Sequence, residues 1–140
     1  MSDTYYVKTF GGLEITNDNV TVNIVELFGK QLVNLLQVLL FHSEKPVQKD
    51  ELIDILWPES KNPSSVLKFS IFRLRAELNE IEFFKDKEVI VTTRKGYILN
   101  PNLDWNIDFV ELEKAYNQIN DGSELLDEKE FKTARKIFRL

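Results

Sequence analysis

Residues 64–78, SSVLKFSIFRLRAEL, hold Lys68, Arg73 and Arg75 together with Phe69 and Phe72, and no acid lies between 64 and 75. Guanidinium groups pair bidentately with guanine O6 and N7, apolar groups meet thymine methyls, and lysine suits phosphate. The chemistry these types could do is recognition of a nucleic-acid groove, not bond making. Their spacing agrees. With Ile71 set to zero and a helical turn of about 100° per residue, Leu67, Leu74 and Leu78 fall between about −60° and −20°. Ser65, Phe69, Phe72, Arg73 and Ala76 fall between about 100° and 200°. One side is a core stripe; the other is small, apolar and cationic at once. Lys68 and Arg75 lie on the flanks, where a side chain meets phosphates before bases. Each reading has a plain alternative. Phe69 and Phe72 could pack under the hairpin expected over 89–99 or at a subunit contact, and Arg75 reads equally as a phosphate contact or a structural salt bridge.

Other chemistries find little support. His42 is the only histidine and there is no cysteine, so neither a metal site nor a nucleophilic triad assembles. Asp50, Glu51 and Asp54 pair carboxylates, but at i, i+1 and i+4 they read as a solvated helix face. No G-x-x-x-x-G-K-[ST] loop is present. The chain is therefore expected to be no enzyme and to need no cofactor or metal. Absence of cysteine fits a reducing cytoplasm, the N-terminus does not read as a signal peptide, and no apolar run is long enough to span a bilayer, so no membrane partner is expected.

The net charge of −5 opposes nucleic-acid binding, but its distribution does not. Residues 1–63 carry net −4, residues 64–99 net +2 and residues 100–140 net −3. The cations gather on the stretch described above and again at Arg94 and Lys95.

These side chains need elements to position them. YYVKTF and VTVNIVEL, punctuated by GG and NDN, predict a meander of short antiparallel strands over 4–27. KQLVNLLQVLLFH predicts a mostly buried helix over 30–42. KDELIDILW predicts a helix over 49–57, with Asp50 and Glu51 in its first turn and Pro58 as its stop. Asn62 as N-cap and Pro63 as first residue open a helix over 63–80. VIVTTRKGYIL predicts a hairpin over 89–99. NPNLDWN reads as a linker. Two amphipathic helices follow, near 108–120 and 127–139, with Asp108 and Asp127 as N-caps. Phe109, Leu112 and Tyr116 form the stripe of the first. The chain ends within that amphipathic pattern, so the helical segment is expected to be incomplete.

In this order, FGGLEI, LLQVLLFHSEKPVQKDELIDILWPE, SSVLKFSIFRLRAEL and IVTTRKGYIL resemble the winged-helix DNA-binding domain of OmpR/PhoB-type regulators. The nearest variant is the Streptomyces antibiotic regulatory protein family, in which a bacterial transcriptional activator domain follows. The resemblance implies an α+β fold. A winged helix-turn-helix with an N-terminal antiparallel sheet would occupy residues 1–100. An incomplete, tetratricopeptide-like helical segment would occupy 104–140. It also implies the site. The third helix enters a major groove with Ser65, Lys68, Phe69, Phe72, Arg73 and Arg75. The hairpin reaches the adjacent minor groove with Thr92, Arg94 and Tyr97, beside Lys95. The second helix approaches the backbone with Lys49 and Trp57, although Trp57 reads by its own pattern as core. Three features depart from the family pattern. The wing tip TTRKGY is a residue shorter than T-x-R-G-x-G-Y, Phe72 stands where Arg or another polar residue is common, and Gln48 replaces a capping Ser.

The expected function is thus sequence-specific binding of double-stranded DNA in transcription regulation. The resemblance implies tandem copies on direct repeats, RNA polymerase as a further partner, and kinship with response regulators. The alternative is a protein-interaction module that uses the Phe69/Phe72 face.

Overall fold

The structure, a computed structural model, describes residues 4–122, with side-chain surroundings through residue 117. In chain order the elements are β1 (Thr4–Lys8), β2 (Glu14–Asn17), β3 (Val20–Asn23), α1 (Ile24–Leu27), α2 (Lys30–Phe41), α3 (Lys49–Leu56) and α4 (Pro63–Asn79). A 3₁₀ turn (Glu82–Phe84), β4 (Ile90–Thr92), β5 (Tyr97–Leu99), β6 (Asp104–Ile107) and α5 (Asp108–Gly122) complete it. Contacts divide the chain into two units, one joining residues through Asn23 to those from Trp105 onward, the other Ile24–Asp104.

The first unit is a four-stranded sheet in the order β3-β2-β1-β6. Along β1, Tyr5 and Val7 are buried while Tyr6 and Lys8 face solvent, the period-two pattern of a one-sided sheet. Antiparallel register sets Val7 opposite Ile15 and Ile15 opposite Val22. Asp18 turns the β2–β3 hairpin with φ 52, a conformation Asp tolerates better than most residues. The fourth strand corrects the linker expectation: DWN belongs to β6, and the Trp105 ring stacks 5.3 Å from Tyr5. Aromatic pairs of this kind hold neighbouring strands together where local propensity is weak.

Next comes α5, which packs against β1. Asp108, expected as its N-cap, is its first residue. Its carboxylate accepts the Thr9 hydroxyl at 2.6 Å, the Thr9 and Phe10 N–H groups at 2.8 and 3.2 Å, and the Phe109 N–H at 2.7 Å. Phe109 and Tyr116 are buried as the stripe predicts, but Leu112 is 37% exposed. The helix expected over 127–139 lies outside the described residues.

The second unit is built on α2, whose Leu32, Val33, Leu35, Leu36, Val38, Leu39 and Leu40 are all buried. Both α3 and α4 pack on it and on each other. Leu52 is the buried anchor of α3, and Leu67, Ile71, Leu74 and Leu78 are those of α4. Asp50, Glu51 and Asp54 are exposed, as a solvated face should be. Antiparallel β4 and β5 form the hairpin. One expectation fails locally and another holds in position only. Residues 24–27 form a helical turn rather than strand, since Ile24 is buried while Val25, Glu26 and Leu27 are exposed, one residue in four rather than one in two. Asn62 stands at the N-cap and Pro63 opens the helix as expected, but the Asn62 side chain makes no cap bond; its carbonyl accepts the Val66 N–H at 3.1 Å, and Pro63 supplies the fixed φ.

Candidate nucleic-acid interface

Helix α4 divides as the angular arithmetic predicts. Leu67, Ile71, Leu74 and Leu78 are at most 2% exposed, which fixes the helix's rotation about its axis. The opposite side is thereby forced outward. Ser65, Lys68, Arg73 and Ala76 are exposed, and Phe69 and Phe72 are 63% and 69% exposed. Neither phenylalanine lies under the hairpin. Among the described residues, the side chains of Lys68 and Arg73 have no hydrogen-bond or ion-pair partner. Beside this face a depression of about 250 Å³ is lined by the start of α2, from Gly29 to Leu32, and by Phe69, Ser70 and Arg73.

Arg75 leaves this face for the hairpin. Its Nε and Nη2 donate to the Ile90 carbonyl at 3.3 and 3.1 Å, and Nη2 donates to Thr92 Oγ1 at 2.7 Å. Its guanidinium also lies 5.9 Å from the centre of the Tyr97 ring. The Ile90 carbonyl belongs to the outer strand of the hairpin, so Arg75 supplies the donor that another strand would. Among the described residues the salt bridge weighed for Arg75 is not made; its partners are a carbonyl and a hydroxyl. Lys49, exposed in the first turn of α3, places its Nζ 5.9 Å from the same ring. Tyr97 itself is only 5% exposed. Lys49, Arg75, Thr92 and Tyr97 are therefore brought together as a buttress that ties α3, α4 and the hairpin. Trp57, half-buried, caps the C-terminus of α3 with its N–H on the Ile53 carbonyl.

At the hairpin tip Arg94 and Lys95 are exposed, with no side-chain partner among the described residues. Two residues not singled out in the sequence set their position. The Thr93 hydroxyl accepts the Lys95 and Gly96 N–H groups, both at 3.1 Å, and donates to the Gly96 carbonyl at 3.0 Å. Gly96 has φ +146, and a Cβ there would stand 1.9 Å from the Val47 carbonyl oxygen. That approach allows Val47 and Tyr97 to exchange two backbone hydrogen bonds, at 2.8 and 3.0 Å, which anchor the hairpin to the segment before α3. A threonine two residues before a turn's N–H groups is a legible signal for the first. The second depends on Val47, a residue far away in sequence.

Among the described residues no cluster of three or more His, Cys, Asp or Glu could hold a metal ion, and no helix is long and apolar enough to cross a membrane. The arrangement offers a face of exposed aromatics and of cations without side-chain partners among the described residues, together with a cationic hairpin tip.

The family model described as "Transcriptional regulatory protein, C terminal" matches residues 20–99, more than half of the chain. No curated protein matches. Among solved structures the chain is similar to the DNA-binding domain of E. coli CadC at 27% identity, over 66% of this chain and 89% of that one, with a TM-score of 0.49. It is also similar to Mycobacterium tuberculosis EmbR, solved in complex with a low-affinity phosphopeptide. Identity there is 23%, over 68% of this chain and 24% of that one, with a TM-score of 0.48. With three packed helices, a hairpin wing and the matched span coinciding, the chain belongs to the transcriptional regulatory protein C-terminal family, the OmpR/PhoB-type winged-helix DNA-binding domains of transcription regulators.

Proposed function

We propose that this chain reads a specific double-stranded DNA sequence by laying α4 in a major groove, with the β4–β5 hairpin at the neighbouring minor groove. The observation that carries this reading is the outer face of α4, where Arg73 and Lys68 are exposed, unpaired among the described residues and free of acidic neighbours from 64 to 75. Arg73 is the base reader, because it lies on the outward face rather than its flank, and a bidentate Arg–guanine pair discriminates by about 1–3 kcal/mol. Ser65, Phe69 and Phe72 share that face. Lys68 and Lys49 neutralise phosphates, and Arg94 and Lys95 enter the minor groove, whose potential favours cations. Trp57 adjoins the backbone from the end of α3. In this reading Arg75, Thr92 and Tyr97 act indirectly, by holding the wing against the helix that reads.

Residues 104–140 begin a helical activator segment in the same reading, with α5 as its first helix. Tandem copies on direct repeats, and contact with RNA polymerase, belong to it as well.

The test is selection of random duplex DNA at about physiological salt, with Arg73→Ala in parallel. An enriched motif that the variant loses at one base pair supports the reading, with a loss of about 1–3 kcal/mol. Uniform weakening over all sequences would instead make Arg73 a phosphate contact. The exposure of Phe69 and Phe72 favours a second reading, a protein-docking face. Salt separates the two: affinity for DNA falls steeply as salt rises, and an apolar protein contact does not weaken.

A further inference from the structure

Phosphate neutralisation and guanine reading leave the two most exposed aromatics among the described residues without a named contact. Phe69 and Phe72 are 63% and 69% exposed on the surface from which Arg73 projects. Their neighbours on that surface, Ser65, Arg73 and Ala76, are small or cationic, and the acids of this helix end, Glu77 and Glu80, lie C-terminal to all of them. A major groove displays one apolar group, the thymine 5-methyl. Helical geometry sets the reach. Phe72 lies about 4.5 Å further along the axis than Phe69 and about 60° around it, and Arg73 lies about 1.5 Å beyond. Base pairs rise about 3.4 Å each, so two rings so placed span one to two base steps.

Resting on the reading of duplex DNA as the ligand, we propose that Phe69 and Phe72 are specificity-determining residues that contact two thymine methyls one to two base steps apart. The preferred site then holds a thymine pair beside the guanine met by Arg73. The cations on this face, Lys68 and Arg73, favour a polyanion over a partner of matching positive charge.

Deoxyuridine tests this directly, since it deletes the methyl and keeps every hydrogen-bonding edge. The full chain is first used to select a motif from random duplex DNA, and each thymine of that motif is then replaced singly. Two positions are expected to weaken wild-type binding about fourfold each, the transfer free energy of one methyl group. At one of them Phe72→Ala binds thymine and deoxyuridine alike; at the other Phe69→Ala does. Both side chains are mostly solvent-exposed, so both variants are expected to keep the wild-type unfolding midpoint, and Phe72→Leu to retain part of the methyl preference. If every deoxyuridine replacement is silent while the motif still enriches, DNA reading stands and methyl reading is overturned. Methyl dependence that persists in both alanine variants overturns it too. If no motif enriches, both readings fall, and binding of this face to a protein is the remaining use of the aromatics.

Discussion

Removal of the Arg75 guanidinium is expected to loosen the wing and leave phosphate binding intact. Its donors meet two acceptors, the Ile90 carbonyl at 3.1–3.3 Å and Thr92 Oγ1 at 2.7 Å. The two bonds to Ile90 share one acceptor and count once. A hydrogen bond from a charged donor contributes about 1.5–3 kcal/mol, and the low end applies because Arg75 as a residue is exposed. The stack on Tyr97 adds about 0.5–1 kcal/mol. Water can reach the freed carbonyl in part, which offsets some of the loss, so Arg75→Ala should cost about 2 kcal/mol. At a urea dependence of about 2 kcal/mol/M, the midpoint falls by about 1 M. Trp57 fluorescence in a Trp105→Phe background reports the helical unit alone, because Trp105 belongs to the other unit. Arg75→Lys keeps the charge but offers no fork, and should recover less than half of the loss. The second assay is the salt dependence of DNA binding. A phosphate contact removed would shrink the slope of log K on log salt by about 0.9; a buttress removed leaves it unchanged. An unchanged urea midpoint together with a slope smaller by about 0.9 would refute the buttress.

Gly96→Ala should lower stability of the helical unit by more than about 2 kcal/mol, because its Cβ would sit 1.9 Å from the Val47 oxygen; hydrogen exchange at the Val47 and Tyr97 amides should rise together. Asp108→Ala removes an acceptor shared by four donors and should cost about 2–4 kcal/mol, read as a lower midpoint of Trp105 fluorescence in a Trp57→Phe background. Leu74→Ala, at a position with no exposure, should cost about 2–5 kcal/mol in thermal or urea unfolding without altering which motif is selected by the remaining folded protein. Arg94→Ala with Lys95→Ala should reduce the salt slope by up to about 1.8 and leave the major-groove part of the motif intact.

The sequence by itself determined α2, α3 and α4 to within about a residue at each end, since their buried positions follow a 3.6-residue period and Pro63 and Pro58 punctuate them. It determined the outward face of α4 as well: once Leu67, Ile71, Leu74 and Leu78 are core, Phe69, Phe72 and Arg73 have nowhere else to point. The hairpin was legible from alternation on either side of RKG. Only tertiary structure decided the rest, because it depends on partners distant in the chain. DWNI carries too few β-forming residues to read as a strand, and becomes one beside β1, where Trp105 finds Tyr5. VTVNIVEL looks uniformly strand-like, yet its second half turns helical with Ile24 alone buried. Arg75, on the flank of its helix, carries no sequence mark that separates a phosphate contact from a hairpin brace; the Ile90 carbonyl sits fifteen residues away and decides it. Tyr97 likewise reads as a wing contact by motif, and is enclosed between Lys49 and Arg75 because Gly96 lets Val47 approach. Periodicity encodes which way a side chain faces its own element. It does not encode what meets that side chain from another.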